Sequence, residues 1–241
     1  MFSIKTTLRK RLRPQTRQRI RSLFVTFLNL FFQVKLDDLA NLYGTDKNYK
    51  HDYTKYYDML FSKIRHKKII LLEIGIGGYE QSNLGGASLR MWKKYIKRGL
   101  INGIDIYDKK MIEEKRIRTF KVNQTDQANL ERVITKIGSP DIIIDDGSHH
   151  NGDVIKTFMI LFPHLNSNGF YIIEDVHTSY RDSYGGDSIT LENKQTTMNF
   201  FKKITDNSNL EFFNKELLDK SFIKTSIDFI WFTKGMIIIK K

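Results

Sequence analysis

The stretch KIILLEIGIGG, residues Lys68–Gly78, decides the fold. Its first part, Lys68–Ile74, is rich in branched aliphatic residues, which favour a buried strand. The run ends on closely spaced glycines, and glycines at a strand-to-helix turn let the backbone pass close to a ligand. The stretch therefore predicts the first strand and ligand-binding turn of an α/β fold. An ordinary tight turn remains the alternative.

Strand-like and helix-like segments alternate after the glycines. The predicted strands are Leu100–Ile106, Ile117–Val122, Asp141–Ile144 and Gly169–Ile173, and the predicted helices are Ser88–Tyr95, Ala128–Ile137 and Asp153–Phe162. Such alternation implies right-handed βαβ units and a mostly parallel sheet. Two last strands, Thr225–Phe232 and Met236–Lys240, are joined by the hairpin-length Thr233-Lys234-Gly235. We predict a Rossmann-like sandwich with a mostly parallel seven-stranded sheet and a C-terminal antiparallel hairpin.

Composition limits the class of protein. A chain of 241 residues with 40% apolar side chains is long enough for one α/β domain, which we place at residues 36–241. The absence of cysteine excludes disulfides and thiolate metal sites and fits a reducing compartment, so we expect a cytoplasmic protein.

Residues 1–35 form a basic leader that differs from the remainder. They carry nine basic residues and no acidic one, which leaves a nearly balanced 31 basic and 27 acidic residues elsewhere. The apolar stretch Ser22–Val34 is shorter than the ~20 residues that span a bilayer. One hypothesis is an amphipathic helix on an anionic membrane, at its inner face. The others are a helix packed on the domain or on a second subunit of a homo-oligomer, and a signal or anchor, although no cleavage site follows.

Acidic and polar residues follow the predicted strands near the glycines. Glu73 directly precedes the glycine turn, where a carboxylate suits a cationic amino-acid group better than a pyrophosphate. Asp105 ends the second strand, where an acid suits the hydroxyls of a ribose. The polar run Asn123–Asp126 follows the third strand and either reads an adenine edge or caps a helix. Methyl transfer needs a positively charged sulfonium donor, and a cleft that carries carboxylates complements that charge. The predicted cofactor-binding residues are Glu73, Gly75, Gly77, Asp105, Gln124 and Asp145.

Paired acids end the fourth and fifth strands, at Asp145-Asp146 and Glu174-Asp175. In a parallel sheet both pairs meet at the edge where ligands bind, and they would repel one another without a cation. Oxygen ligands suit Mg²⁺, so we predict Asp146, Glu174 and Asp175 as its ligands. Helix capping is the alternative.

His149 is the predicted general base. It follows Asp146 by three residues in the same loop, where an imidazole can take the proton of a hydroxyl held near a cation. We expect His150 and His177 to be structural or peripheral. The polar loop Thr178–Gly186 is either a cover for a substrate or an ordinary surface loop.

Several segments together resemble the macrolide-sugar O-methyltransferases, which include the mycinamicin and macrocin sugar methylators. The matching segments span Leu36–Gly186 and are Tyr43–Lys47, His51–Thr54, Leu72–Gly78, Ser88–Trp92, Gly103–Lys109, Asp145–His149 and Ile173–Asp175. The resemblance implies a class I S-adenosylmethionine-dependent methyltransferase fold, S-adenosylmethionine as donor, Mg²⁺ at Asp146, Glu174 and Asp175, and a base at His149. It also suggests that Tyr43–Lys47 and 49–57 cover the active site.

Two departures from the family bear on the cofactor and the acceptor. Asn123 stands where relatives often have Asp, so the resemblance does not fix the adenine contacts of this run. The basic, phenylalanine-rich leader is unlike that of soluble antibiotic enzymes and favours a glycolipid or another sugar-containing acceptor made at a membrane.

Three other functions are weighed against this resemblance. A nucleic-acid methyltransferase would use the basic leader to bind phosphates, but a carboxylate-rich cleft repels a polyanion, so we expect no nucleic-acid partner. A NAD-dependent oxidoreductase is disfavoured by Glu73 and by the terminal hairpin. A non-enzymatic membrane-associated binding protein is disfavoured by the complete acidic and histidine sets.

Overall fold

The computed structural model describes residues 34–207 and 227–241. Up to residue 33, the predicted leader lies outside the described residues. The described chain forms two compact units that divide between Ile64 and Arg65, so the domain predicted at 36–241 spans both. The prediction of a single domain stays a prediction.

The first unit contributes two short helices, α1 (Leu36–Tyr43) and α2 (Thr54–Phe61). The amphipathic pattern of α1 buries Leu36, Leu39 and Ala40. This helix ends at Gly44, which adopts a left-handed conformation and donates its N–H to the Ala40 carbonyl, the usual way in which glycine closes a helix. The helix therefore ends at the start of Tyr43–Lys47, one of the segments that carry the family resemblance.

In the second unit, seven described strands form one sheet in the order β3-β2-β1-β4-β5-β7-β6. The strands are β1 (Ile70–Ile74), β2 (Leu100–Asp105), β3 (Ile117–Lys121), β4 (Ile142–Asp145), β5 (Phe170–Ile173), β6 (Phe229–Thr233) and β7 (Met236–Lys240). The first five are parallel, and β7 is antiparallel to both β5 and β6. The predicted fold class is confirmed.

Four helices of this unit are described: α3 (Ala87–Tyr95), α4 (Gln127–Ile137), α5 (Asn151–Leu161) and α6 (Thr197–Asn207). The first three agree with the predicted helices to within two residues, because their apolar residues recur at helical spacing. Helix α6 was not predicted from the sequence. The hairpin turn is one residue shorter than predicted, since Thr233 pairs with Met236 and leaves only Lys234 and Gly235 in the turn.

The core fixes the helices against the sheet. Phe158 of α5 contacts the rings of Phe162, Tyr171 and Phe201 at centroid separations of 4.7–5.1 Å, and all four side chains are fully buried. Burying a large apolar side chain contributes about 1.5–3 kcal/mol. This aromatic cluster therefore fixes the position of α5, whose N-terminus follows the His149 loop.

No helix in the described part of the chain is long and apolar enough to cross a membrane.

Candidate active site

The site lies at the carboxyl edge of the central strands. Three backbone hydrogen bonds of 2.9 Å continue the ladders by one residue, from Gly75 to Ile104, from Asp146 to Ile74 and from Glu174 to Asp145. The residues that follow β1, β4 and β5 therefore lie side by side. This arrangement brings the glycine turn and the two acidic pairs to one edge, as the parallel alternation predicted.

The glycine turn is closely packed at one position and open at another. Gly75 adopts a φ of 78°, and a Cβ there would lie 2.0 Å from the Asp146 carbonyl oxygen. Gly77 has a φ of 70°, but a Cβ there would meet no atom within 4 Å. Gly75 is thus required by contact between two loops, whereas Gly77 leaves open space of the kind that a ligand needs beside a backbone.

The two acids on the predicted cofactor side differ in exposure. Glu73 lies in β1, paired with Gly103 and Ile144, and its side chain is fully buried. Asp105 is half-buried at the end of β2. Its carboxylate accepts hydrogen bonds from the Ile76 N–H at 3.2 Å and the Tyr107 N–H at 2.9 Å. Asp105 therefore ties the glycine turn to β2, and its oxygens retain lone pairs for a ligand.

The polar run after β3 serves partly as a helix start. The Asp126 carboxylate accepts from the Asn129 N–H at 3.1 Å and caps α4, and this hydrogen bond lowers the pKa of Asp126. The Asn123 side chain accepts from the Thr125 N–H at 2.9 Å. The capping interpretation is confirmed for Asp126, and both side chains bond within their own turn.

Gln124 is buried in a polar network beneath the site. Its amide nitrogen donates to Thr157 Oγ1 at 3.0 Å and to Asp145 Oδ1 at 3.4 Å, and its amide oxygen accepts from the Ser148 N–H at 2.7 Å. A Cβ on Gly147 would lie 2.2 Å from that oxygen. Gln124 therefore fixes the backbone of the loop after β4.

Asp145 is the acid in this network. Its side chain is buried, and desolvation raises the pKa of Asp145 to about 7, with a smaller contribution from the neighbouring charge of Asp146. The buried Tyr171 neighbours Asp145, and burial together with that carboxylate raises the pKa of Tyr171 well above its ordinary value. Burial therefore disfavours the charged forms of both side chains in this network.

Asp146, His149 and Asp175 form a cluster. Among the described residues, these three offer ligand atoms that all lie within 4.8 Å of one another, and His149 Nε2 lies 3.9 Å from Asp146 Oδ1. Two carboxylates and an imidazole form a donor set that holds divalent cations. Glu174 is buried directly before Asp175 but is not a member of this three-residue group.

His149 and Asp175 adopt left-handed backbone conformations, with φ of 59° and 53°. Such conformations are uncommon for residues with a side chain and cluster at functional sites. His149 Nδ1 is buried without a hydrogen-bond partner among the described residues, so Nε2 is the nitrogen available to a ligand. His177 also lies nearby, with its Nδ1 4.0 Å from Asp175 Oδ1, closer than the sequence suggested.

Asn151, which the sequence did not single out, joins the His149 loop to the loop predicted at Thr178–Gly186. Its buried amide nitrogen donates to the carbonyl oxygens of Thr178 and Tyr184, and its oxygen accepts from Ser179 Oγ and the Thr197 N–H, at 2.7–3.3 Å. The position of Asn151 at the start of a helix indicates that its side chain bonds to nearby backbone groups. It gave no indication of partners 27 to 46 residues away.

Comparison with known proteins identifies relatives. The chain is 42% identical over 172 residues to the mycinamicin VI 2''-O-methyltransferase of Micromonospora griseorubida, a match that covers 71% of this chain and 43% of that protein. It is 43% identical over 172 residues to the demethylmacrocin O-methyltransferase of Streptomyces fradiae, covering 71% of this chain and 44% of that protein. No family model matches the chain.

A solved structure has the same fold. The MycE methyltransferase of the mycinamycin biosynthetic pathway, in complex with Mg and SAH, superposes with a TM-score of 0.81 at 35% identity, over 87% of this chain and 55% of that one. The same enzyme has been solved with Mg, SAH and mycinamycin VI. This chain spans about half the length of these relatives or less.

Proposed function

Because the chain is related to the macrolide-sugar O-methyltransferases over 71% of its length, we propose that it transfers a methyl group from S-adenosylmethionine to a hydroxyl of a sugar or glycoconjugate. One observation carries the proposal. The cluster of Asp146, His149 and Asp175 lies at the same sheet edge as the glycine turn, as a reaction between a bound donor and a bound hydroxyl requires.

The donor is assigned to the glycine side of the edge. The backbone at Gly75 and Gly77 approaches it, Glu73 balances its positive charge, and Asp105 accepts from its ribose hydroxyls. S-adenosylmethionine, when bound, supplies a methyl group on a positively charged sulfur. Gln124 and Asp145 complete the predicted cofactor side, and their buried network holds the loop that faces the donor.

The metal is assigned to the acidic side. Carboxylate oxygens are the ligands that Mg²⁺ prefers, and we propose Asp146, Glu174 and Asp175 as its ligands. Mg²⁺, when bound, supplies positive charge that favours ionisation of the acceptor hydroxyl. The close grouping of Asp146 and Asp175 with His149 supports this assignment.

His149 is the proposed base. Its Nε2 takes the proton of the acceptor hydroxyl, and the oxygen attacks the methyl carbon. The carbon–sulfur bond breaks, its electron pair stays on sulfur, and S-adenosylhomocysteine leaves with an uncharged thioether sulfur. The fixed positions of the glycine turn and the His149 loop align the two reactants, which is a large part of catalysis in such displacements.

The test is methyl transfer from labelled S-adenosylmethionine to a fractionated cell extract, with the labelled product identified by mass. We expect a sugar-containing product, complete loss of transfer with a chelator, and recovery with added Mg²⁺. Transfer to nucleic acid, or transfer that a chelator does not affect, would contradict the proposal. Stabilisation by NAD rather than S-adenosylhomocysteine in thermal unfolding would favour the oxidoreductase alternative.

For the leader, whose residues 1–33 lie outside the described part of the chain, we propose that it attaches a cytoplasmic protein to the inner, anionic face of the membrane. The nine basic residues of 1–35 support attraction to anionic lipid, which increased salt weakens. Co-sedimentation of the full chain with phosphatidylserine vesicles, but not phosphatidylcholine vesicles, is expected. If the chain binds neither type of vesicle and is a dimer in solution, packing of the leader on a second subunit would be favoured instead.

A further inference from the structure

Lys109 is a buried lysine outside the acidic site. Only 1% of its surface is exposed, although lysine is rarely buried to this extent. Its ammonium donates to the carbonyl oxygens of Tyr79, Gln81 at 2.9 Å and Leu84 at 3.4 Å. A lysine ammonium has three donors, and here each meets a backbone carbonyl of one loop.

That loop, Tyr79–Leu84, begins and ends at the glycine turn. A Cβ on Gly78 would lie 2.3 Å from the Leu84 carbonyl oxygen, and a Cβ on Gly85 would lie 2.2 Å from the Gly77 carbonyl oxygen. The two ends of the loop therefore touch, and the excursion between them is compact. Its outer surface is open to solvent, since Tyr79 is 85% exposed.

Lys109 lies four residues after Asp105, in the loop that follows β2. The ammonium therefore joins the loop after the glycine turn to the loop after Asp105, and both loops carry residues assigned to the donor. A contact between Ser82 Oγ and Met111 Sδ at 3.2 Å also joins the two loops, but it is exposed, and thioether sulfur is a weak acceptor. The lysine provides the stronger connection.

We infer that Lys109 is a positioning residue for the donor site, holding the Tyr79–Leu84 loop so that the glycine turn and Asp105 keep the spacing that S-adenosylmethionine needs. This inference rests on the proposed function. Lys109 acts through the loop and does not itself contact the reacting atoms. Without its ammonium, the three carbonyl oxygens lose this shared donor, and the loop loses the hydrogen bonds that hold it to the segment after β2.

The experiment compares Lys109→Met with Lys110→Met in the full chain. Lys110 is the exposed neighbour, so the control makes the same charge change in the same loop. Calorimetric titration with S-adenosylhomocysteine and with Mg²⁺ is carried out well below the melting temperature of each variant. We expect Lys109→Met to weaken S-adenosylhomocysteine binding at least about tenfold, or ~1.4 kcal/mol, with Mg²⁺ binding and the Lys110→Met variant unchanged.

Limited chymotrypsin digestion gives a readout that needs no ligand. Cleavage after Tyr79 is expected to accelerate in Lys109→Met, while cleavage after Tyr49, which is 72% exposed in the other unit, keeps its rate. A merely structural lysine would lower the melting temperature and leave the affinity and the site of cleavage unchanged.

The outcomes separate the two claims. Equal S-adenosylhomocysteine affinity in Lys109→Met and the unmodified chain would overturn this inference alone, as would parallel loss of Mg²⁺ binding. Failure of the unmodified chain to bind S-adenosylhomocysteine would overturn the donor assignment, and the inference with it.

Discussion

The loops at the two sides of the sheet edge use left-handed backbone conformations differently. After β1, the left-handed positions of the turn, Gly75, Gly77 and Gly78, are glycines, and Tyr79, which begins the next loop, has a φ of 43°. After β4 and β5, the left-handed positions at the site are His149 and Asp175, the proposed base and a proposed metal ligand. On the glycine side the backbone itself forms the surface, and a Cβ would lie within 2.3 Å of another backbone oxygen at Gly75 and Gly78, though not at Gly77. On the acidic side the proposed roles require a side chain, which explains why these positions are not glycine despite a backbone cost of about 1–2 kcal/mol per residue.

The strongest test of this comparison replaces the reagent. His149→Ala removes the proposed base, and the rate of methyl transfer is expected to fall by about 10²–10⁴-fold, the range for a general base. S-adenosylhomocysteine affinity should persist, because the glycine side is untouched. His164→Ala, at the opposite end of α5, serves as the control. Near-normal turnover in His149→Ala would remove the chemical reason for the strained histidine.

The next test concerns the glycine side. Gly75→Ala places a methyl group 2.0 Å from the Asp146 carbonyl oxygen and should lower the free energy of unfolding by about 3 kcal/mol or more. Gly77→Ala, at a similar φ but with no atom within 4 Å, should cost only about 1 kcal/mol. Urea denaturation of both variants measures the difference. Equal costs would show that backbone conformation alone, without contact between loops, selects both glycines.

The buried Asp145 network predicts how stability depends on pH. Burial raises the pKa of Asp145 from 3.8 to about 7, so the folded chain keeps a proton that the unfolded chain releases. The free energy of unfolding should therefore fall as pH rises from 3.8 to about 7, by up to ~1.4 kcal/mol per pH unit, and level off above. Asp145→Asn should flatten this dependence, measured by denaturation with chelator present. An unchanged slope in the variant would assign the pH dependence to other groups.

Comparing glycine with alanine at position 149 tests backbone strain separately from chemistry. His149→Gly removes the left-handed strain along with the imidazole. We expect the free energy of unfolding to rise by about 1 kcal/mol relative to His149→Ala, while both variants are equally inactive. If glycine gives no gain over alanine, the backbone at His149 is not strained, and the contrast with the glycine side is lost.

Much of the fold could be predicted from sequence patterns. Strand β7 matched its predicted bounds, Met236–Lys240, because an unbroken aliphatic run next to a tight turn has few alternatives. Helix α6 was missed because its start depends on tertiary contacts. The Thr197 N–H is bonded by Asn151, 46 residues earlier.

The site was predictable where strand ends alone determine position. The glycine turn, Asp146 and Asp175 follow adjacent parallel strands, so the topology brings them together. Side-chain partners could not be predicted in the same way. Gln124 bonds inside the network, His177 lies beside Asp175, and Lys109 binds three carbonyl oxygens of a distant loop. The contacts of Gln124 and Lys109 join residues more than 20 positions apart and leave no local spacing, whereas His177 follows Asp175 by only two residues.

The four hydrogen bonds of Asn151 have a consequence for how the segment 187–196 can vary. They hold the backbone carbonyl groups of Thr178 and Tyr184 and the Ser179 hydroxyl on one side, and the Thr197 N–H on the other. The intervening segment, 187–196, exposes Ile189 and Leu191 to solvent at 92% and 60%. Because Asn151 bonds to groups on both sides of this segment, the segment can change in length and composition while His149 and the acidic residues keep their positions.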